Sequence, residues 1–166
     1  MAKKITVNVW SDKSVASAVQ KLRAYAEWVE KKEAELRVRL ASMGASVASI
    51  RFSRAVYTGT NDVSVRVDDT GNTAVIYAEG SAVAFIEFGS GEKHGYGHPD
   101  AGKHGFGPGT WSLGEEGKGH WDNPKGWWFG SGQHTYGNPP AMAMVAARDA
   151  MVEDLTRIAK EVFGTA

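Results

Sequence analysis

The chain has 166 residues, with 19 basic and 19 acidic side chains, 20 glycines and no cysteine. That length suits one domain able to bury a core without metal or disulfide staples, and the missing cysteines exclude disulfides, zinc–thiolate sites, iron–sulfur clusters and cysteine nucleophiles. The zero net charge divides unevenly: residues 1–54 carry 11 basic and 5 acidic side chains, and residues 55–166 carry 8 and 14.

A free nucleic-acid binder usually shows a net basic surface, and the chain as a whole does not. Halves of opposite charge suit head-to-tail contact between copies, although two ordinary solvated surfaces account for the same asymmetry. Met1-Ala2-Lys3-Lys4 resembles the start of a signal peptide, but Ser11 and Asp12 arrive before any adequate apolar stretch. No apolar run approaches the length that crosses a bilayer. The expectation is a soluble, unexported protein.

In chain order, Ile5, Val7 and Val9 alternate with Thr6, Asn8 and Trp10, which predicts a short half-buried strand. Ser11 or Asp12 can cap a helix beginning there. Val15, Leu22, Val29, Leu36 and Met43 recur every seven residues, and Val19, Ala26 and Leu40 fill the neighbouring stripe. This spacing predicts an amphipathic helix from about Asp12 to Met43, ended near Gly44. So long a helix should overhang a small sheet or pack along a neighbouring subunit.

Ile50 and Phe52, then Ala55-Val56-Tyr57, read as β. Val63, Val65 and Val67 alternate with polar residues, Asp69-Thr70-Gly71-Asn72 reads as a hairpin turn, and Thr73 to Ala78 pairs back. Ala82 to Phe88 reads as one or two helical turns. At the far end Asn138 is a candidate cap, with Pro139-Pro140 before and at the first turn. Val145, Val152 and Ala159 beside Met142, Leu155 and Val162 predict a helix to about Phe163, stopped by Gly164.

Between the short helix and the last one, residues 89–137 change composition. They hold 15 of the 20 glycines, all five histidines and four of the six tryptophans, with neither helical nor strand periodicity. Loops this long are uncommon in compact domains and are usually functional or disordered. Disorder is normally aromatic-poor.

Catalytic motifs are missing. There is no phosphate loop, no H-E-x-x-H and no G-x-S-x-G, and Gly95-Tyr96-Gly97 and Gly105-Phe106-Gly107 lack the third glycine of a dinucleotide fingerprint. His94, His98 and His104, with Asp100, raise a metal site, but a glycine-rich loop fixes no ligand geometry, and no metal or cofactor is expected. Glu115 and Glu116 could serve a hydrolase, yet adjacent carboxylates normally point apart rather than flank one bond. Exposed aromatic rings would also suit a carbohydrate-binding module. No basic cluster accompanies the tryptophans, which weakens a single-stranded nucleic-acid platform. Protein–protein contact fits best, with Trp111, Trp121, Trp127, Trp128, Phe129 and Tyr136 as anchors. The competing reading folds these rings back as a lid on their own domain.

The order of elements then becomes informative. A long first helix and strands lead to Phe85-Ile86-Glu87-Phe88-Gly89-Ser90-Gly91. A glycine-, histidine- and tryptophan-rich insertion comes next, and Thr135-Tyr136-Gly137-Asn138-Pro139-Pro140-Ala141-Met142 opens the last helix. This resembles the head–tail joining, or tail-completion, proteins of long-tailed double-stranded DNA bacteriophages. In that family an E-[FY]-G-[ST]-G segment precedes the insertion and a P-[AP]-[FM]-like segment opens the C-terminal helix.

The resemblance implies a non-enzymatic virion protein, made in the host cytoplasm. It would form a ring, typically of six copies, in the neck between capsid connector and tail, with genomic DNA passing through. Its partners would be further copies of itself and adjacent neck and tail proteins. A tail terminator is the nearest alternative. Glu87, Phe88, Gly89, Gly91, Pro139 and Pro140 match the family segments and take structural jobs: unusual dihedrals at the glycines and helix-start geometry at the prolines. The fold expected is α+β, one domain over residues 1–166. A small, mostly antiparallel sheet of about four strands packs against the two helices, with residues 89–137 inserted.

Overall fold

The computed structural model of the chain describes residues 4–91, 94, 97–104, 125–128 and 132–164. The architecture is α+β, with a long N-terminal helix α1 (Asp12–Ser53), a hairpin of β1 (Ser64–Asp69) and β2 (Ala74–Glu79), and a short α2 (Val83–Phe88). A 3₁₀ turn at Ala101–His104, the two-residue strands β3 (Trp127–Trp128) and β4 (His134–Thr135), and the C-terminal α3 (Ala143–Gly164) complete it.

Helix α1 starts as expected, with the Ser11 hydroxyl accepting the Ser14 N–H. Its end corrects the sequence reading: it continues ten residues past Met43, and Ile50 and Phe52 lie on its last turns rather than in a strand. Gly44 does not stop it, because the missing side chain is a packing notch. A Cβ there would stand 2.7 Å from Ile76 Cδ1 and 2.8 Å from Met151 Sδ, so β2 and α3 both close onto α1 at this residue. That packing offsets the roughly 1 kcal/mol that glycine costs in a helix interior. Ala41, Gly44, Ala48 and Phe52 form one buried row at helical spacing. The helix ends where Arg54 donates its N–H to the Ile50 carbonyl, and the Asn61 amide reaches back to the Phe52 carbonyl at 2.8 Å. Ala55-Val56-Tyr57, read as strand, joins no ladder among the described residues.

Helix α3 lies antiparallel to α1. Its end meets Trp28 through Phe163, with ring centroids 5.9 Å apart, and its start contributes Ala143 and Ala147 to a core shared with Ala48, Phe52, Ala82 and Ile86. With small residues on both sides, the backbones approach closely and Phe52 and Ile86 fill the remaining volume. Helix α1 has 42 residues and α3 has 22, about 63 Å against about 33 Å at 1.5 Å per residue. The first sixteen residues of α1 therefore run beyond the end of α3.

The hairpin has the expected turn, with Thr70 N–H bonded to the Thr73 carbonyl and Gly71 at φ +92°. Its register pairs Val65 with Ala78 and Val67 with Ile76. In place of the single sheet of about four strands expected, the described residues form two separate two-stranded antiparallel sheets, β1–β2 and β3–β4. Residues 5–9 also depart from the strand expected of them. Asn8 to Ser11 fold into a turn, with Asn8 N–H on Ser14 Oγ at 2.8 Å and Ser11 N–H on the Asn8 carbonyl at 3.1 Å. The physical reason is distance, since α1 carries this segment far from the hairpin. Among the described residues no helix is long and apolar enough to cross a membrane.

Candidate interaction site

The segments flanking the insertion, nearly fifty residues apart in sequence, close onto one another. Gly89 leaves α2 at φ +76°, and Ser90 pairs antiparallel with Asn138 through N–H to carbonyl bonds of 2.9 and 3.0 Å. Their buried side chains join as well, Ser90 Oγ to Asn138 Oδ1, while Asn138 Nδ2 donates to the Phe85 carbonyl at 2.8 Å. Gly91 at φ +85° and Gly137 at φ +103° flank this pair. A Cβ on Gly91 would collide with the Tyr136 carbonyl oxygen, and one on Gly137 with that of Ser90. Both positions demand glycine for dihedral and for space.

Chain direction then carries Ala141 N–H to the Ile86 carbonyl at 2.8 Å and Met142 N–H to that of Glu87 at 3.3 Å. Met142 itself takes φ +49°, an uncommon conformation outside glycine. It is held there by the bonds on either side. Helix α3 opens at Ala143, so Asn138 is no cap and both prolines lie before the first turn. The prolines pack against the glycines: a Cβ on Gly89 would stand 2.8 Å from the Pro140 nitrogen.

The cap comes from across the chain. The buried Glu87 carboxylate accepts the Ala143 N–H at 2.7 Å and the Met144 N–H at 3.0 Å. A helix leaves its first N–H groups without partners and carries positive partial charge at that end, and a carboxylate answers both. His98, also buried, places Nε2 3.2 Å from Glu87 Oε1. Its other ring nitrogen accepts the Asp100 N–H at 3.0 Å, so Nε2 carries the proton and donates to Glu87. The His98 ring stands edge-on to Phe88 at 4.5 Å, and His104 lies against the same phenyl ring at 5.4 Å. Two of the histidines read as metal candidates thus pack on α2. Among the described residues no group of three or more His, Asp or Glu side chains could hold a metal ion.

Beyond the clasp, β3 and β4 pair Trp127 with Thr135 and Trp128 with His134. An exposed aromatic ladder results, Trp128 on His134 at 4.7 Å and His134 on Tyr136 at 4.8 Å, all edge to face. Trp128 and Tyr136 are 70% and 59% exposed, and Trp127 is half-buried. Trp111, Trp121 and Phe129, like Glu115 and Glu116, lie outside the described residues.

A second exposed surface was legible only as a periodicity. On the free part of α1, Val15, Val19, Leu22 and Tyr25 are each about 40–55% exposed along one stripe, while its continuation at Val29, Leu36 and Met43 is half-buried. Trp10, at the turn before the helix, is 94% exposed. The sequence reading missed the role of Glu87 as a cap, although an acid inside Val-Ala-Phe-Ile-Glu-Phe was a signal that its charge meets a partner. Compared with protein-family models, curated proteins and solved structures, the chain matches none.

Proposed function

We propose that the chain is a structural protein of the neck of a long-tailed double-stranded DNA bacteriophage, joining the capsid connector to the tail as one member of a closed ring. One observation carries the reading. The two segments that bear the family resemblance form a single clasp, in which Glu87 caps α3, Ser90 pairs with Asn138, and glycines 89, 91 and 137 occupy the positions where a side chain does not fit. The clasp fixes both ends of the insertion and points Trp128 and Tyr136 outward, where rings of this kind serve as anchors for another protein. The uncovered stripe of α1 offers a second, separate surface to a neighbouring copy. A stripe that meets a different surface of the next copy gives a heterologous interface, which closes into a ring when its rotation allows.

In this reading the protein is not an enzyme, and the genomic DNA that passes the ring meets it without sequence preference. Binding of the isolated protein to duplex DNA is expected to be weak and salt-sensitive, since tight contact needs many Lys or Arg phosphate pairs. Electron microscopy of purified particles tests the proposal. The expected outcome is a ring of this chain, most simply six-fold, between connector and tail. Absence from the particle, or a two-fold arrangement, rejects it.

A further inference from the structure

The outer edge of β2 is open. The Thr70–Thr73 bond at the turn sets the alternation of the ladder, so Val75 and Tyr77 bond to β1 while Ala74, Ile76 and Ala78 turn their N–H and carbonyl groups to the free side. Among the described residues nothing hydrogen-bonds to those groups. Along this edge runs a groove of about 430 Å³, with Ile76, Ala78, Val83, Phe88 and Met144 among its walls and Arg148 at its side. A free strand edge beside an apolar groove is the geometry that an added strand fills. Main-chain bonds hold such a strand, and alternate side chains enter the groove. A two-stranded hairpin alone is marginal in water, so a third strand also stabilises it.

The same molecule holds a segment with the matching pattern and no ladder of its own. Residues 4–8, Lys-Ile-Thr-Val-Asn, alternate apolar and polar, lie in no strand, and keep Val7 40% exposed. They cannot reach the groove of their own chain. Ile76 meets α1 at Gly44, and 32 helical residues separate Asp12 from Gly44, about 48 Å along the axis. The eight residues from Asp12 back to Lys4 span at most about 28 Å fully extended. Lys3 and Lys4 precede the apolar positions, and on the hairpin Asp68 has no ion pair among the described residues, whereas Asp69 pairs with Arg37 and Glu79 with Arg66.

We infer that residues 4–8 of one copy add as a third strand to the β2 edge of a second copy, with Ile5 and Val7 seated in the groove beneath Ile76 and Ala78. This rests on the ring reading and names its connecting element: the projecting part of α1 is the arm that delivers the strand. Each copy donates one strand and receives another, the head-to-tail arrangement that a closed ring requires.

The absence of cysteine makes the test clean. Thr6 and Val75 sit on the faces turned away from the groove, and both are exposed. Thr6→Cys in one full-length preparation and Val75→Cys in another are mixed under mild oxidation, with Thr6→Cys paired with Tyr77→Cys to cover the neighbouring register. The expected product is a mixed disulfide dimer. The double variant Thr6→Cys/Val75→Cys should give a ladder of covalent multimers and no internally closed monomer. Val7→Pro, an exposed change that removes a ladder N–H, should leave the thermal midpoint unmoved and weaken self-association about tenfold. Absence of the mixed disulfide in both registers, an intramolecular disulfide, or a protein that stays monomeric at every concentration overturns the inference. The neck reading fails separately: a particle that lacks the chain rejects that reading whatever the disulfides show, and a ring in the particle without these cross-links rejects only the strand donation.

Discussion

The clasp at the foot of α3 and the projecting half of α1 treat the same physical problem in opposite ways. In the clasp every buried polar group meets a partner in its own chain: Glu87 two backbone N–H groups and His98, Asn138 the Ser90 main chain, its hydroxyl and the Phe85 carbonyl. On the projecting half, an apolar stripe faces outward, and only Ala18 of its residues is buried. Leaving apolar surface in water forgoes roughly 25 cal/mol per Å². The clasp has the organisation of a folding device, and the α1 arm that of an assembly device. Substitutions in the two places should separate stability from assembly.

The largest effect is expected in the clasp. Glu87→Ala orphans the Ala143 and Met144 N–H groups and the His98 Nε2 proton in a buried place, for a loss of about 2–4 kcal/mol. Gly137→Ala forces a Cβ into the Ser90 carbonyl at φ +103° and should cost about 2–3 kcal/mol. Urea unfolding reads both as a lower midpoint at unchanged slope. A loss below about 0.5 kcal/mol for Glu87→Ala would show that the carboxylate is no cap, and the contrast between the two regions would collapse.

That contrast also explains what the sequence showed and what it hid. Local signals survived: Ser11 as a cap, the valines of β1, the Asp69–Asn72 turn and the helical turn before Phe88. What failed needed a second element. Gly44 reads as a stop signal in one dimension and as a notch once Ile76 and Met151 stand over it. Asn138 reads as a cap because it precedes a helix, but its amide is drawn to Phe85 and Ser90, and Glu87, 56 residues earlier than Ala143, does the capping. The alternation of residues 5–9 was real as a pattern and had no sheet in reach. The glycines and prolines of the clasp were legible as punctuation, whereas their pairing across the insertion was not.

Next in size is the assembly effect on the arm. Val19→Asp together with Leu22→Asp places charge in the exposed stripe, where substitution costs the monomer no more than about 0.5 kcal/mol. Self-association should be lost, read by light scattering, with the thermal midpoint nearly unmoved. A large drop in midpoint would mean that the stripe belongs to the subunit's own core and that the arm is no separate device.

The aromatic ladder allows a finer separation. Trp127→Ala with Trp128→Ala should leave the subunit folded, at a cost near 1 kcal/mol because Trp127 is only half-buried and Trp128 mostly exposed. Rings should still form through the arm, yet heads should fail to join tails in a complementation assay. Normal joining would place the anchor elsewhere and reduce the ladder to surface.

The smallest effect concerns a second cap. Asp62 accepts the Ser81 hydroxyl and N–H at 2.7 Å each and the Ala82 N–H at 3.0 Å, so its carboxylate closes the start of α2. Those bonds, the Ser81 hydroxyl first, hold its pKa down to about 2 from the ordinary 3.8. A carboxylate depressed on folding binds its proton more readily in the unfolded chain, so its contribution is complete above about pH 4 and drains away as pH falls toward 2. Asp62 is exposed, so solvent screens much of this. Asp62→Asn removes the charge while keeping an acceptor oxygen. The midpoint difference between wild type and variant should be constant from neutral pH down to about 4 and narrow toward pH 2. Gly137→Ala should show no such convergence, because its cost is steric and does not pass through a carboxylate. A difference that held its size down to pH 2 would mean that the Ser81 and Ala82 bonds do not depend on the charge, and that α2 is held in place by Glu87 and the core rather than by its own cap.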